Sequence, residues 1–229
     1  AVNISIWAKN FQKKKKNPKP FEMTASSIIL KNAYFIYHND LTCRTKDKGD
    51  IDFGYFELKN IDARLDQFTI MGSDISADIE HLAFTQYTGF ILRNLSGKFH
   101  IGPKGLELKS ATLATPTSHV FLDFAFEYGS WKDYGDFLNK IKFNVLAKTS
   151  TFDMKDIRYF APQTAGMDNR LVFSAQVNGP INHLVIKDLD ARFADNTHLA
   201  GELDIKNLTD FFNADIRAKL VQNEVDLYE

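Results

Sequence analysis

At 229 residues, 44% of them hydrophobic and 25% charged, the chain is long enough for one large or two small folded domains and too apolar for disorder. Lys+Arg 28 against Asp+Glu 29 leaves a formal charge of −1, which removes the long-range field that would draw nucleic acid. The 20 Phe and 8 Tyr, beside 12 Gly and 6 Pro, favour an aromatic-rich β structure, and the single cysteine, Cys43, excludes an internal disulfide and the usual zinc cluster.

Residues 1–20 open on Ala-Val-Asn with no signal-peptide pattern, and the absent initiator Met leads us to expect a piece of a longer protein. Lys13-Lys14-Lys15-Lys16, followed by Pro18 and Pro20, reads as a basic, linker-like solvated loop, with contact to anionic lipid as the alternative. No run approaches the roughly 18 apolar residues of a membrane span. Residues 21–150 and 151–229 share one pattern and are expected to share one architecture.

That pattern is alternation of period two. Val120, Leu122, Phe124, Phe126 and Tyr128 fall on one face of a strand, with Asp123 and Glu127 on the other. Ile75, Ala77 and Ile79 oppose Ser76, Asp78 and Glu80, and Leu171, Phe173, Ala175 and Val177 oppose Val172, Ser174 and Gln176. A short phrase interrupts the alternation: Leu58-Lys59-Asn60-Ile61 repeats in variant form as Leu30-Lys31-Asn32-Ala33, Leu92-Arg93-Asn94-Leu95, Leu108-Lys109-Ser110-Ala111, Met154-Lys155-Asp156-Ile157, Ile186-Lys187-Asp188-Leu189 and Ile205-Lys206-Asn207-Leu208. Its apolar residues stand three apart, so a strand that simply continued would turn its apolar side to water. Either the polar pair adds one residue as a β-bulge, or it is a two-residue hairpin turn; the missing Gly in the second place favours the bulge. Deleting Asn60 is then expected to harm the strand more than replacing it with Ser. The irregular spacing of the phrase excludes a solenoid of fixed repeat.

One segment has helical spacing. Trp131, Tyr134, Leu138 and Ile141, with Ser130 and Asp133 as a capping box, predict a short helix over 131–140 whose Trp131 side plugs an edge or mouth of the sheet.

Chemistry is not legible. His38, His81, His100, His119, His183 and His198 lack metal-ligand spacing, Asp50 and Asp52 lack the rest of a calcium loop, and Cys43 beside Asp40 and His38 lies in a polar stretch. No phosphate-binding or nucleophile motif occurs, so we expect no enzyme, no metal and no cofactor.

Strands apolar on one side need a second sheet, a helix layer or a bound apolar molecule. The stretch "MKDIRYFAPQTAGMDNRLVFSAQVNGPINHLVIKDLDARFADNTHLAGELDIKNLTD", residues 154–210, resembles the AsmA-like and TamB family of bacterial envelope proteins, through Asp156-Ile-Arg-Tyr-Phe-Ala-Pro162, Gly166, the strand ending at Gly179, "IKDLDARF" and "IKNLTD". "FEMTASSIILKNAYFIYHND" and "GDIDFGYFELKNIDARLDQFTIMGSDISADIEHLAFTQYTGFILRNLSGKF" are similar to the central region of such chains. The resemblance covers most of residues 20–220 and rests on degenerate strand patterns. It implies a long antiparallel, incompletely closed β groove in the periplasm, anchored in the inner membrane and reaching an outer-membrane β-barrel partner through regions absent here. It also implies phospholipid transfer or help in assembling outer-membrane proteins.

Two functions therefore stand. The first is a segment of a lipid conduit, lined by Ile75, Ile79, Leu92, Phe99, Leu108, Leu113, Leu122, Phe124, Phe126, Phe173, Val177 and Phe193, with Trp131, Tyr134 and Leu138 in a helix at the groove end. The second is a non-catalytic scaffold for an outer-membrane β-barrel partner, built as a filled sandwich or closed groove.

Overall fold

The computed structural model describes residues 20–38, 55–160, 166, 168–193, 197–208 and 213–224. The basic run at 13–16, Cys43, Asp50 and Asp52 lie outside them.

The alternating segments form a single antiparallel sheet. Its strands are β1 (Glu22–His38), β2 (Tyr55–Met71), β3 (Asp74–Gln86), β4 (Ile91–Leu92), β5 (Asn94–Gly102), β6 (Gly105–Ala114), β7 (His119–Glu127), β8 (Lys142–Asp153), β9 (Arg170–Pro180), β10 (His183–Phe193), β11 (Thr197–Lys206) and β12 (Asp215–Glu224). Apart from the short β4, which pairs β3, they lie side by side in chain order from β1 to β12. The two ends of that order do not pair, so the sheet is open. It runs straight through position 150/151, which falls inside β8.

The repeated phrase is a β-bulge where it lies within a strand. Register slips at Lys31-Asn32, Lys59-Asn60, Lys109-Ser110 and Lys187-Asp188, and the second residue of each pair is left-handed, with φ of 48°, 52°, 52° and 50°. Asn is enriched there because its short polar side chain lowers the cost of a positive φ. A neighbouring carboxylate holds two of these amides: Asn32 N donates to Asp62 Oδ1 at 3.0 Å, and Ser110 N to Asp123 Oδ1 at 2.5 Å. None of the phrases is a two-residue hairpin turn.

Three copies differ from the bulge expectation. Arg93 alone separates β4 from β5, which begins at Asn94, and its amide turns to the Ala114 carbonyl at 2.8 Å. Lys155-Asp156 lies in a helical turn, and Asn207 ends β11 with φ 55°. At the last two the chain leaves its strand, so no facing has to be restored; at the first, Leu92 pairs with Phe84 and Leu95 with Leu113, so the break at Arg93 keeps both on the groove side.

The pairing with β7 shows what a bulge accomplishes. β7 alternates without interruption, and its Val120, Leu122, Phe124 and Phe126 pair with Leu113, Ala111, Leu108 and Leu106 of β6. The β6 residues change from odd to even numbers across Lys109-Ser110 and still share one face.

Residues 131–140 form a helix as expected, in two parts: a 3₁₀ turn, Trp131–Asp136, and one α-helical turn, α1 (Phe137–Lys140). Asp133 Oδ2 accepts from the Ser130 amide at 3.0 Å and the Gly129 amide at 2.8 Å, which fixes its start. A second turn, α2 (Met154–Ile157), follows β8.

The substantial contacts of each strand run to its sheet neighbours. All the strands belong to that one sheet, and the described residues include no second sheet. Apart from Ile61 in mid-β2, the larger buried apolar side chains gather at the strand ends. At one end lie Phe90, Leu92 and Val120; at the other are Tyr128 and Ile141, which is 0% exposed. Tyr128 donates to the Gly102 carbonyl at 2.7 Å, and burial pushes its phenol pKa up.

Candidate functional site

The sheet has one continuous apolar face. Ala77, Phe99, Leu108, Phe124, Val145, Val177, Ile186, Leu203 and Ala218 pair successively from β3 to β12, a row with no charged or polar member. Beside it Met23, Ile70, Ile75, Ile101, Leu106, Phe126, Phe143 and Gly179 pair from β1 to β9. Directly paired residues share a face, so both rows lie on the same side of the sheet.

That side is the inside of a bend. Ala111, Leu122, Ala147 and Ala175 pair successively. The bulge at Lys109-Ser110 directly precedes Ala111, the slip at Lys148-Thr149 directly follows Ala147, and Asp188-Leu189 lies across from Ala175. Ala111, Ala147 and Ala175 are 3%, 5% and 6% exposed although the described residues include no second sheet. On a flat single sheet such short side chains would be open to water. Here the strands bend at the slips, and the larger side chains on either side close over the alanines. The result is a groove with an alanine crease at its apex and half-buried Leu, Ile, Val and Phe on its walls.

All twelve lining residues expected from the sequence are on β strands, and register places them on this face or its margin. Ile75, Ile79, Phe99, Leu108, Leu113, Leu122, Phe124, Phe126, Phe173, Val177 and Phe193 are half-buried. Leu92 is buried in the end cluster, against Phe84 across the β3–β4 pair. Alternation places Ala77 and Ala175 on the apolar face, but none of the buried alanines, Ala63, Ala111, Ala147 and Ala191 among the others, is in the expected lining, because alternation weights large apolar residues. A usable signal exists in Ala33 and Ala111, which directly follow the phrase.

The helix sits at one margin of the groove, with a different stripe from the one expected. Phe137 touches Phe126 and Phe143, with ring centroids 5.6 and 6.0 Å apart, and Tyr134 lies 5.0 Å from Tyr128. Trp131 stacks with Tyr134 at 6.0 Å but stays 45% exposed, and Leu138 is 38% exposed. The 3₁₀ turn, with three residues per turn, lines up 131, 134 and 137 rather than 131, 134 and 138. At the opposite margin Phe90 meets Tyr159 and Phe160 at 5.7 and 5.3 Å.

The outer face is mainly polar. His100, His183 and His198 each meet an aspartate there, Asp74 at 3.3 Å, Asp204 at 3.0 Å and Asp190 at 3.1 Å, and His81 contacts Asn94 Oδ1 at 2.6 Å. Among the described residues no group of His, Cys, Asp and Glu could hold a metal ion, and no helix is long and apolar enough to cross a membrane. The buried carboxylate of Asp156 accepts from the hydroxyls of Thr115 (2.5 Å), Thr117 (3.0 Å) and Ser118 (2.5 Å), tying α2 to the β6–β7 turn. At 7% exposed and with three hydroxyl donors, that carboxylate serves the fold.

No family model, no curated protein and no solved structure matches the chain. The AsmA-like and TamB resemblance accordingly rests on the residues quoted above.

Proposed function

We propose that this chain is a segment of a lipid-transfer conduit. The observation that carries the reading is the uncharged row from Ala77 to Ala218 on one open sheet. Acyl chains lie against the half-buried walls above the alanine crease, and headgroups stay at the rims in water. Each methylene so covered contributes about 0.8 kcal/mol, so one acyl chain of ordinary length supplies several kcal/mol. Movement is sliding along a face without polar barriers and asks for no catalytic residue. On this reading the setting is the periplasm and the cargo is phospholipid moving between inner and outer membrane, as the resemblance implies.

The test is native mass spectrometry of the purified chain, with its organic extract analysed for phospholipid. Stoichiometric lipid is expected, and Phe124→Asp or Phe173→Asp is expected to abolish it, since an unpaired buried charge costs several kcal/mol or more. A stable protein that carries no lipid and takes none from phospholipid vesicles overturns the conduit and moves the weight to a scaffold for an outer-membrane β-barrel partner.

A further inference from the structure

Among the described residues β1 is the edge strand of the sheet and pairs on one side only, with β2. Edge strands normally carry charges, proline or bulged ends that discourage a further strand. β1 has no proline, and its only formal charges are Glu22, its first residue, and Lys31. Apolar side chains stand on both faces. Met23, Leu30 and Phe35 belong to the groove side, while Ile29, Tyr34 and Ile36 on the outer side are 58%, 56% and 49% exposed. The other edge, β12, is defended by Asp215, Arg217 and Lys219.

The facing of β1 changes twice. Met23 and Ile28 both face the groove, through Ile70 and Leu65, so one residue between Ala25 and Ser27 is out of alternation; the second change is the bulge at Asn32. Laid antiparallel on a copy of itself with Ile29 opposite Ile29, the strand sets Ser26 opposite Asn32. The two irregularities then stand against each other. Groove-side residues meet groove-side residues over 22–36: Met23 with Phe35, Ala25 with Ala33, and Ile28 with Leu30. On the outer side Thr24 meets Tyr34 and Lys31 meets Ser27, so no like charges are opposed. Centring the pair on Ile28 or Leu30 instead opposes groove-side to outer residues.

We propose that β1 is a dimerisation edge whose partner is β1 of a second copy, related by a two-fold axis through Ile29 normal to the sheet. Such an interface is isologous and closes at two copies. It leaves both apolar faces on the same side, so two grooves become one. The proposal is independent of what the groove carries.

Cross-linking and light scattering on the full chain test it, in a Cys43→Ser background. Directly paired residues have Cα atoms about 4.5–5.5 Å apart, inside the roughly 4.4–6.8 Å range that a disulfide spans. Mild oxidation of Ile29→Cys is therefore expected to give a covalent dimer. Ile36→Cys is expected to give none, because its opposite residue is Glu22. The unmodified chain is expected to scatter as a dimer and Ile29→Lys as a monomer with unchanged circular dichroism, since residue 29 is exposed within one copy. A monomer at every concentration, equal cross-linking at 29 and 36, or a dimer that survives Ile29→Lys overturns the proposal.

Discussion

Deleting Ser110 separates the two roles of the bulge, because its partner strand β7 alternates without interruption. With Ser110 present, Leu108 pairs with Phe124 and Ala111 with Leu122. Without it, either Leu106 and Leu108 or Ala111 and Leu113 must turn to the outer face. Taking the shorter arm, half-buried Leu113 and buried Ala111 each lose about 1 kcal/mol of apolar burial. Thr112 turns inward, and its hydroxyl costs roughly 1–3 kcal/mol if left unpaired. The bond from the residue-110 amide to the Asp123 carboxylate is lost as well, about 1.5–3 kcal/mol for a charge-assisted bond. The sum is roughly 4.5–8 kcal/mol, which for a chain of this size is a fall of about 10–30 °C in Tm. Ser110→Asn keeps the extra residue, the amide and a side chain suited to positive φ, and is expected to melt within about 2 °C of the parent. The assay is thermal unfolding followed by circular dichroism. If the deletion and the substitution melt together, the extra residue does not set the facing of β6, and the account of the repeated phrase fails.

Gly201 has φ 148°, and a Cβ there would stand 2.2 Å from the Lys219 carbonyl oxygen and 2.8 Å from Leu220 Cα; Gly201→Ala is expected to detach β12, read as lost amide-exchange protection over 215–220 while β5–β9 keep theirs. Glu57 accepts from Tyr34 (2.7 Å) and Tyr55 (2.8 Å) and pairs with Lys59 (3.0 Å), which lowers its pKa from 4.5 to about 2 and, through the same bond, raises that of Tyr34 to about 12. A depressed carboxylate stabilises fully above its unfolded pKa, so this contribution is lost as pH falls from about 4.5 towards 2; Glu57→Gln should flatten that part of an acid titration and bring Tyr34 back towards 10 in a spectrophotometric titration. Asp156→Ala leaves the hydroxyls of Thr115 and Ser118, 2% and 0% exposed, without their acceptor, and is expected to lower Tm by about 5–10 °C, for roughly 2–4 kcal/mol of lost charge-assisted bonding.

The sheet was legible because its evidence is local. Alternation in 120–126 or 171–177 reports one buried face, and the three-residue spacing around Lys59-Asn60 reports a correction of that face. The helix was legible in extent and misread in detail: Ser130 and Asp133 marked its start, but the choice between three and 3.6 residues per turn, which decides whether Phe137 or Leu138 reaches Phe126, depends on how the chain leaves Tyr128. Sequence alone could not reveal that Arg93-Asn94 and Lys155-Asp156 sit where strands stop. The same tetrapeptide serves a bulge in mid-strand and a helical turn at a strand end, and only tertiary contacts, such as the three hydroxyls on Asp156, distinguish them.

What the sequence pattern hid most completely is the division of labour on the apolar face. A bend tight enough to make a groove needs small side chains at its apex, and Ala111, Ala147 and Ala175 provide them beside the bulges or slips of their own or a neighbouring strand. Because the apex closes on itself, it supplies the buried contacts that hold the bend. The larger residues, Phe99, Phe124, Phe173 and Val177 among them, are left half-covered. On the proposed reading, core and binding surface are thus separated within single strands: residue 147 serves the fold, and residue 145, two positions away on the same face, is left half-buried for an acyl chain. Enlarging Ala147 and placing a charge at Val145 consequently act on different links, the first spreading the walls and lowering stability, the second blocking the row without disturbing the bend.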